Sequence, residues 1–251
     1  MLLKHKTAVI YGGSGAIGSA VARTFAREGA RVFLAARTPG PLEKVASEIG
    51  DEGGAVETAI VDALDERAVD AHADEVVARA GRIDVSLNLI SHNDVQGTPL
   101  AEMEVADFEK PVVTALRTNF LTARAAARHM IPRRSGVILF FGGYGDPMRG
   151  FHLGGLQVAF QALEALRRQL ASELGPYGIR ALTLQTAGVV ETIPEDFEGR
   201  AAIVEDTVGR TMLNRAASLE DVANVAAFAA SDRARSMTAT ALNITCGTEV
   251  G

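Results

Sequence analysis

Short apolar runs alternate along this chain with stretches in which apolar residues recur every three or four positions. The runs at residues 7–11, 31–36, 55–61, 85–90, 137–141, 179–185 and 241–245 read as strands. Helical periodicity fills residues 18–28, 42–49, 65–80, 112–130, 156–174 and 218–230. Strands that are apolar throughout, spaced by helices, predict a parallel sheet covered on both faces, so the expected fold class is α/β and doubly wound. Ser218 and the carboxylates of Glu220 and Asp221 suit the unpaired amides and positive dipole end of the last helix. The acidic segment from 191 to 205 carries no comparable period.

Composition narrows the class. The 251 residues, 47% of them hydrophobic, suffice for one well-buried core. No repeat, low-complexity tract or linker marks a boundary, so one domain over residues 1–251 is expected. A net charge of -6 offers no basic footprint for nucleic acid. Cys246 is the only cysteine, which excludes an intrachain disulfide and fits a reducing compartment. The opening Met1-Leu2-Leu3-Lys4-His5-Lys6 does not lead into a secretory signal, and the longest charge-free apolar stretches, near 137–144 and 151–163, fall short of a membrane span. A soluble cytoplasmic protein with neither nucleic acid nor membrane as partner is the expectation.

Candidate chemistry begins directly after the first strand, at Tyr11-Gly12-Gly13-Ser14-Gly15-Ala16-Ile17-Gly18. Read from Gly13 this is G-x-G-x-x-G, set between a strand and a helix, where a pyrophosphate can approach backbone N–H groups. Gly12, Ser14, Ala16, Ile17 and Gly18 are therefore candidate cofactor contacts; the competing reading is a turn that only packs helix on sheet. Arg37 follows the second strand, where a dinucleotide-binding fold contacts the adenosine ribose, and no acidic residue is there to accept from a 2′-hydroxyl. A 2′-phosphate clamp at Arg37 favours NADP(H) over NAD(H); the alternative is a solvated surface arginine. Asp62 either receives the adenine amino group or caps the next helix.

These residues, in this order, resemble the classical short-chain dehydrogenase/reductase family from end to end. Of that family's T-G-x-x-x-G-x-G motif, Gly12 and Gly18 match, Tyr11 replaces the threonine, and Ala16 replaces the middle glycine, adding a methyl expected where helix meets strand. Asn88, before Leu89-Ile90-Ser91, is similar to the start of the family's N-N-A-G element. Asn119 matches its active-site asparagine, and Gly188-Val189-Val190-Glu191-Thr192 stands in place of P-G-x-x-x-T. The resemblance implies a Rossmann-like single domain, cofactor contacts at Asn88, Ile90, Val190 and Thr192, a substrate lid over 191–205 and a homo-oligomer.

The same resemblance implies a changed centre. The family's serine, tyrosine and lysine fall on Gly143, Leu156 and Phe160, no tyrosine here has a lysine four residues on, and no lysine follows Lys110. Positioned acid–base catalysis is worth roughly 10²–10⁴ in rate. Leu156, Phe160, Leu163, Leu170 and Leu174 recur at helical spacing, either as core or subunit-contact face or as an oily pocket wall. Tyr144, His152, and His92 with Asp94 are the candidate stand-ins, each open to a pocket-lining reading. His92, Asp94 and His152 lie on separate loops without compact ligand spacing, so no metal is expected. Two functions compete. One is an NADP(H)-dependent oxidoreductase with a non-standard active site, with Asn119, Tyr144 and His152 in catalysis and a small carbonyl, hydroxyl or enone substrate. The other is a non-redox pseudoenzyme, paired with an active relative, or a lyase or cyclase on the same scaffold.

Overall fold

The computed structural model describes residues 1–147 and 150–250. Strands and helices alternate as β1 (Thr7–Tyr11), α1 (Ala16–Arg27), β2 (Arg31–Ala36), α2 (Pro39–Asp51), β3 (Ala55–Ile60), α3 (Glu66–Ala80), β4 (Val85–Asn88), α4 (Val105–Met130), β5 (Gly136–Gly142) and α5 (Gly155–Leu174). The chain continues as β6 (Ile179–Gln185), α6 (Arg200–Gly209), α7 (Leu219–Ala230) and β7 (Thr240–Asn243). All the strands pair in parallel, in the order β3-β2-β1-β4-β5-β6-β7. The doubly wound sheet expected from the apolar runs is the one observed.

Successive side chains along the central strands β1, β2, β4, β5 and β6 face opposite sides of the sheet, each side covered by helices. Ile10, Leu34, Leu87, Leu139 and Leu184 pack with α1, α2 and α7, while Tyr11, Phe33, Ile138 and Phe140 pack with α3, α4 and α5. This explains the unbroken apolar runs, since both faces are dry. The strand order reverses between β1 and β4, the chain winding outward through β2 and β3 on one side and through β5, β6 and β7 on the other. Such a switch point opens a crevice at the carboxyl ends of the strands, which is where ligands bind in open α/β sheets.

Two elements depart from the pattern. α4 begins at Val105 rather than near 112 and carries Pro111 inside it; the ring removes one backbone donor without ending the helix. α6 falls within and beyond the acidic segment. None of its residues is buried, so it has no apolar stripe for periodicity to reveal. At α7 the Ser218 cap is present, with Ser218 Oγ accepting from the Asp221 amide and the Asp221 carboxylate accepting from the Ser218 amide. With Arg215 also beside it, the Asp221 carboxyl is pulled down to about 2.

Candidate active site at the carboxyl edge of the sheet

The glycine turn owes its shape to backbone contacts. Gly12 has φ +83°, and a Cβ there would lie 2.5 Å from the Leu89 carbonyl oxygen. At Gly18 a Cβ would stand 2.2 Å from the Gly12 oxygen, so these two positions admit nothing larger than glycine. Gly15 is different, because its Cβ would meet only the Gly12 oxygen, at 3.5 Å. Ala16 opens α1 and is exposed. Its methyl is therefore not held where helix meets strand; Gly18 occupies that contact. Gly15, as N-cap, offers no side chain to the first amides of α1, those of Ala16, Ile17 and Gly18. Uncapped donors at the positive end of a helix dipole suit an anion.

Around this turn the remaining candidates divide by what already engages them. Arg37 and Ser14 are accessible, and Ser14 borders a cleft of about 470 Å³ between α1 and α2 that also contains Ser19, Arg23, Lys44 and Glu48. Arg23 is committed to Glu48 at 2.7 Å, which leaves Lys44 as a second cation near the turn. Sequence reasoning did not select Lys44, since a lysine on an exposed helix face carries no distinguishing spacing. Asp62 Oδ1 accepts from the Leu64 amide at 3.0 Å, while the cap of α3 is Asp65. Of the two readings of Asp62, the helix cap thus belongs to another residue.

Asn88 is buried at the end of β4, accepting from the Ile90 amide at 2.9 Å and donating to Thr122 Oγ1 at 3.2 Å. It fixes the β4 turn against α4. Val190 is half-buried and Thr192 is exposed, with the Thr192 hydroxyl donating to the Val189 carbonyl at 2.7 Å. Asn119, also on α4, is buried and donates to the Ala115 carbonyl at 2.9 Å, yet its Oδ1 has no donor among the described residues. A buried acceptor left unpaired costs about 1–3 kcal/mol and marks a place where a bound group can satisfy it.

At β5 and α5 the structure brings together Gly142, Gly143, Phe160 and His92. A Cβ at Gly143 would stand 2.8 Å from Phe160 Cε2, so the absent side chain at 143 and the large one at 160 are sterically coupled. The His92 ring meets Phe160 edge-on, with centroids 5.8 Å apart and planes at 64°. Leu163, Leu170 and Leu174 of the α5 stripe join or pack against the core shared by α3, α4 and α5, whereas Leu156 and Phe160 belong to neither core. The stripe is therefore core at its far end and half-exposed wall at its near end.

The stand-ins have separate surroundings. Tyr144 follows β5 on a loop held to α5 by Gln161 and Gln157, which donate to the Tyr144 and Asp146 carbonyls. Burial and the nearby Glu249 carboxylate hold the Tyr144 hydroxyl protonated above its ordinary range. His152 is exposed, with φ +48°, and its carbonyl accepts from the Gly97 amide at 3.0 Å. That bond ties the loop after β4 to the loop after β5, so the two loops expected to be separate touch through their backbones. Among the described residues, no three His, Cys, Asp or Glu side chains gather closely enough to hold a metal ion, and no helix is long and apolar enough to cross a membrane.

A glycine turn at the switch point of an all-parallel sheet, with a cluster at the ends of β4 and β5, defines a protein of the dinucleotide-binding α/β type. The chain belongs to the short-chain dehydrogenase/reductase family. Residues 13–249 match a family model described as enoyl-(acyl carrier protein) reductase. The chain is similar to secoisolariciresinol dehydrogenase of Forsythia intermedia, with 31% identity over 93% of this chain and 85% of that one. Among solved structures it is similar to a short-chain dehydrogenase/reductase from Serratia marcescens, at 25% identity and a TM-score of 0.89, covering 100% of both chains. The fold is also shared with NAD+-bound xylitol dehydrogenase, at 22% identity and a TM-score of 0.87, covering 97% of this chain and 99% of that one.

Proposed function

We propose that this protein is an NADP(H)-dependent oxidoreductase with a non-standard active site, acting on a small apolar carbonyl, hydroxyl or enone compound. The observation that carries it is the turn at Gly12 and Gly18, packed so closely that only glycine fits, in front of the uncapped amides of α1. A dinucleotide fits these residues. The amides of Ala16, Ile17 and Gly18 suit its pyrophosphate, Arg37, Lys44 and Ser14 suit a 2′-phosphate, and the unpaired Asn119 Oδ1 suits a donor near the reacting end. Asp62, its Oδ2 without a hydrogen bond among the described residues, suits the adenine amino group, and Ile90, Val190 and Thr192 suit the walls beside the nicotinamide, the β4 turn being held by Asn88.

When bound, the dinucleotide supplies the two-electron redox chemistry. Gly143, Leu156 and Phe160 stand where the family resemblance implies serine, tyrosine and lysine, so the chain must move the proton with other groups. Tyr144, held protonated, suits a hydrogen-bond donor to the substrate oxygen. His152, exposed on the adjoining loop, is a second polar group at the mouth. Leu156 and Phe160 make an apolar wall and favour an apolar substrate. Val113 and Phe120 on α4 and Val158 on α5, exposed at 57%, 46% and 46%, suit a second copy of the chain.

The decisive assay mixes the protein with NADPH and a panel of apolar ketones and enones while cofactor absorbance is followed. Turnover above background is expected; none at high protein concentration overturns the redox reading. The apolar pair Leu156 and Phe160 also favours a second reading, a dinucleotide-holding protein without redox activity. Tight NADPH binding with no turnover on any substrate selects it.

A further inference from the structure

The chain has five histidines, and their surroundings separate them. His72 is paired with Tyr11 and His129 with Asp74, while His5 and His152 are exposed. His92 alone is half-buried with neither ring nitrogen in a hydrogen bond among the described residues. It sits four residues beyond the end of β4, at the carboxyl edge of the sheet, against Phe160 and through it against Gly143. An imidazole with free nitrogens beside an apolar wall, at the place where ligands enter this fold, is a group with its chemistry uncommitted.

Resting on the redox reading above, we infer that His92 is the proton acceptor of this site, taking the hydroxyl proton of an apolar secondary alcohol as that alcohol is oxidised. In this step the alcohol O–H bond breaks and its proton passes to an imidazole nitrogen. The carbinol C–H bond breaks with its electron pair, the hydrogen leaving as hydride to the oxidised nicotinamide, and the O–H electrons become the new C=O bond. The protonated ring then releases its proton to solvent.

The charge state agrees with this direction. Burial pushes the His92 ring below its ordinary 6.5, against the pull of Asp94 on the same loop. From the other elements, Phe160 of α5 packs on it and brings no charge, nor do Gly142 and Gly143 at the end of β5 behind that ring. Neutral imidazole therefore prevails at neutral pH and is ready to accept the alcohol proton, while in the reverse direction the protonated ring returns it to the ketone oxygen. Tyr144 is the opposite case, held protonated and unable to accept.

The test compares wild type with His92→Gln and His92→Asn, loaded with NADP+ and given apolar secondary alcohols such as 1-phenylethanol and cyclohexanol. NADPH affinity monitors the fold of each variant. For both variants kcat is expected to fall about 100-fold, within the range for a lost general base, with KM changed less than about 3-fold. Wild-type kcat/KM rises with pH to a plateau through a midpoint below 6.5, and that limb disappears in the variants. Independently of activity, an NMR titration of the imidazole resonances shows two low-midpoint histidines, and the one absent from His92→Gln, not that of His72, shifts when acetophenone is added with NADP+. Variants that keep the wild-type kcat and pH limb overturn the role of His92 and leave the redox reading standing. A wild type that binds NADPH, oxidises none of these alcohols and reduces none of the ketones and enones overturns both, whereas one that reduces ketones but oxidises no alcohol overturns the role of His92 alone.

Discussion

The carboxyl ends of β1 and β5 lie on the same edge of the sheet with β4 between them, and they are built in opposite ways. At β1 the site is written in backbone: Gly12 and Gly18 are fixed by carbonyl oxygens 2.5 and 2.2 Å from where a Cβ would stand, and the amides beyond them are left open. At β5 it is written in side chains, where Gly143 yields its space to Phe160 and His92 leans on that ring. Backbone geometry tolerates little change, because each substitution meets main chain that cannot move. Side-chain sites can be exchanged in sets, provided volumes compensate. That contrast accounts for a chain that keeps the dinucleotide end of its fold and carries a different group of residues at the proposed reacting end.

The contrast is most easily broken at Gly12. Gly12→Ala combines a left-handed backbone, about 1–2 kcal/mol for an L-residue, with overpacking worth about 1–3 kcal/mol. A loss near 3 kcal/mol in denaturant unfolding is expected, together with loss of NADPH binding. Gly15→Ala, with only a 3.5 Å contact, should cost less than about 1 kcal/mol. Equal costs at the two positions would remove the claim that backbone contact shapes this turn.

Just beneath the turn, Tyr11 and His72 form a buried pair, Oη to Nδ1 at 3.3 Å with the rings edge to face. Burial lowers the His72 ring from 6.5 to about 4. Between those values the unfolded chain binds the proton and the folded chain does not, so stability is full above 6.5 and falls as pH drops. At about 1.4 kcal/mol per pH unit, roughly 3 kcal/mol should be gone by pH 4. His72→Gln is expected to flatten this acid limb. An unchanged limb would show that other groups set the acid stability of the β1 end.

At β5 the coupling is directly measurable. Gly143→Ser alone forces a Cβ to within 2.8 Å of Phe160 Cε2 and should destabilise by about 1–3 kcal/mol. Combined with Phe160→Lys most of that cost should vanish, a favourable interaction in a double-mutant cycle. The triple variant Gly143→Ser, Leu156→Tyr, Phe160→Lys is expected to gain carbonyl reductase activity, and a folded, NADPH-binding but inert triple variant would contradict the assignment of those three positions. The smallest effect belongs to Arg37→Ala, about 10-fold weaker NADPH binding with NADH affinity unchanged. An equal loss for both dinucleotides would argue against a 2′-phosphate contact.

The fold was readable because both faces of the central strands are buried, so they appear as apolar runs and the covering helices as periodic ones. α6 was missed because it buries nothing. The glycine turn was readable from its motif, which selects Gly12 and Gly18; what spacing could not reveal is the cause, the Leu89 and Gly12 carbonyl oxygens that leave no room for a Cβ at either position. At β5 the spacing could locate Gly143, Leu156 and Phe160 without revealing that two of them share one volume. Sequence spacing put His152, rather than His92, among the residues assigned to catalysis. Only their packing, against Phe160 in one case and into solvent in the other, separates them.

The most direct measurement is a crystal structure with NADPH and an apolar ketone bound. The expected result has the pyrophosphate on the first amides of α1, the 2′-phosphate beside Arg37, and the ketone oxygen over the apolar wall of Leu156 and Phe160, within hydrogen-bond reach of His92. A structure in which the dinucleotide does not enter, or enters with the ketone oxygen facing no polar group, would contradict an oxidoreductase running on a replaced set of residues.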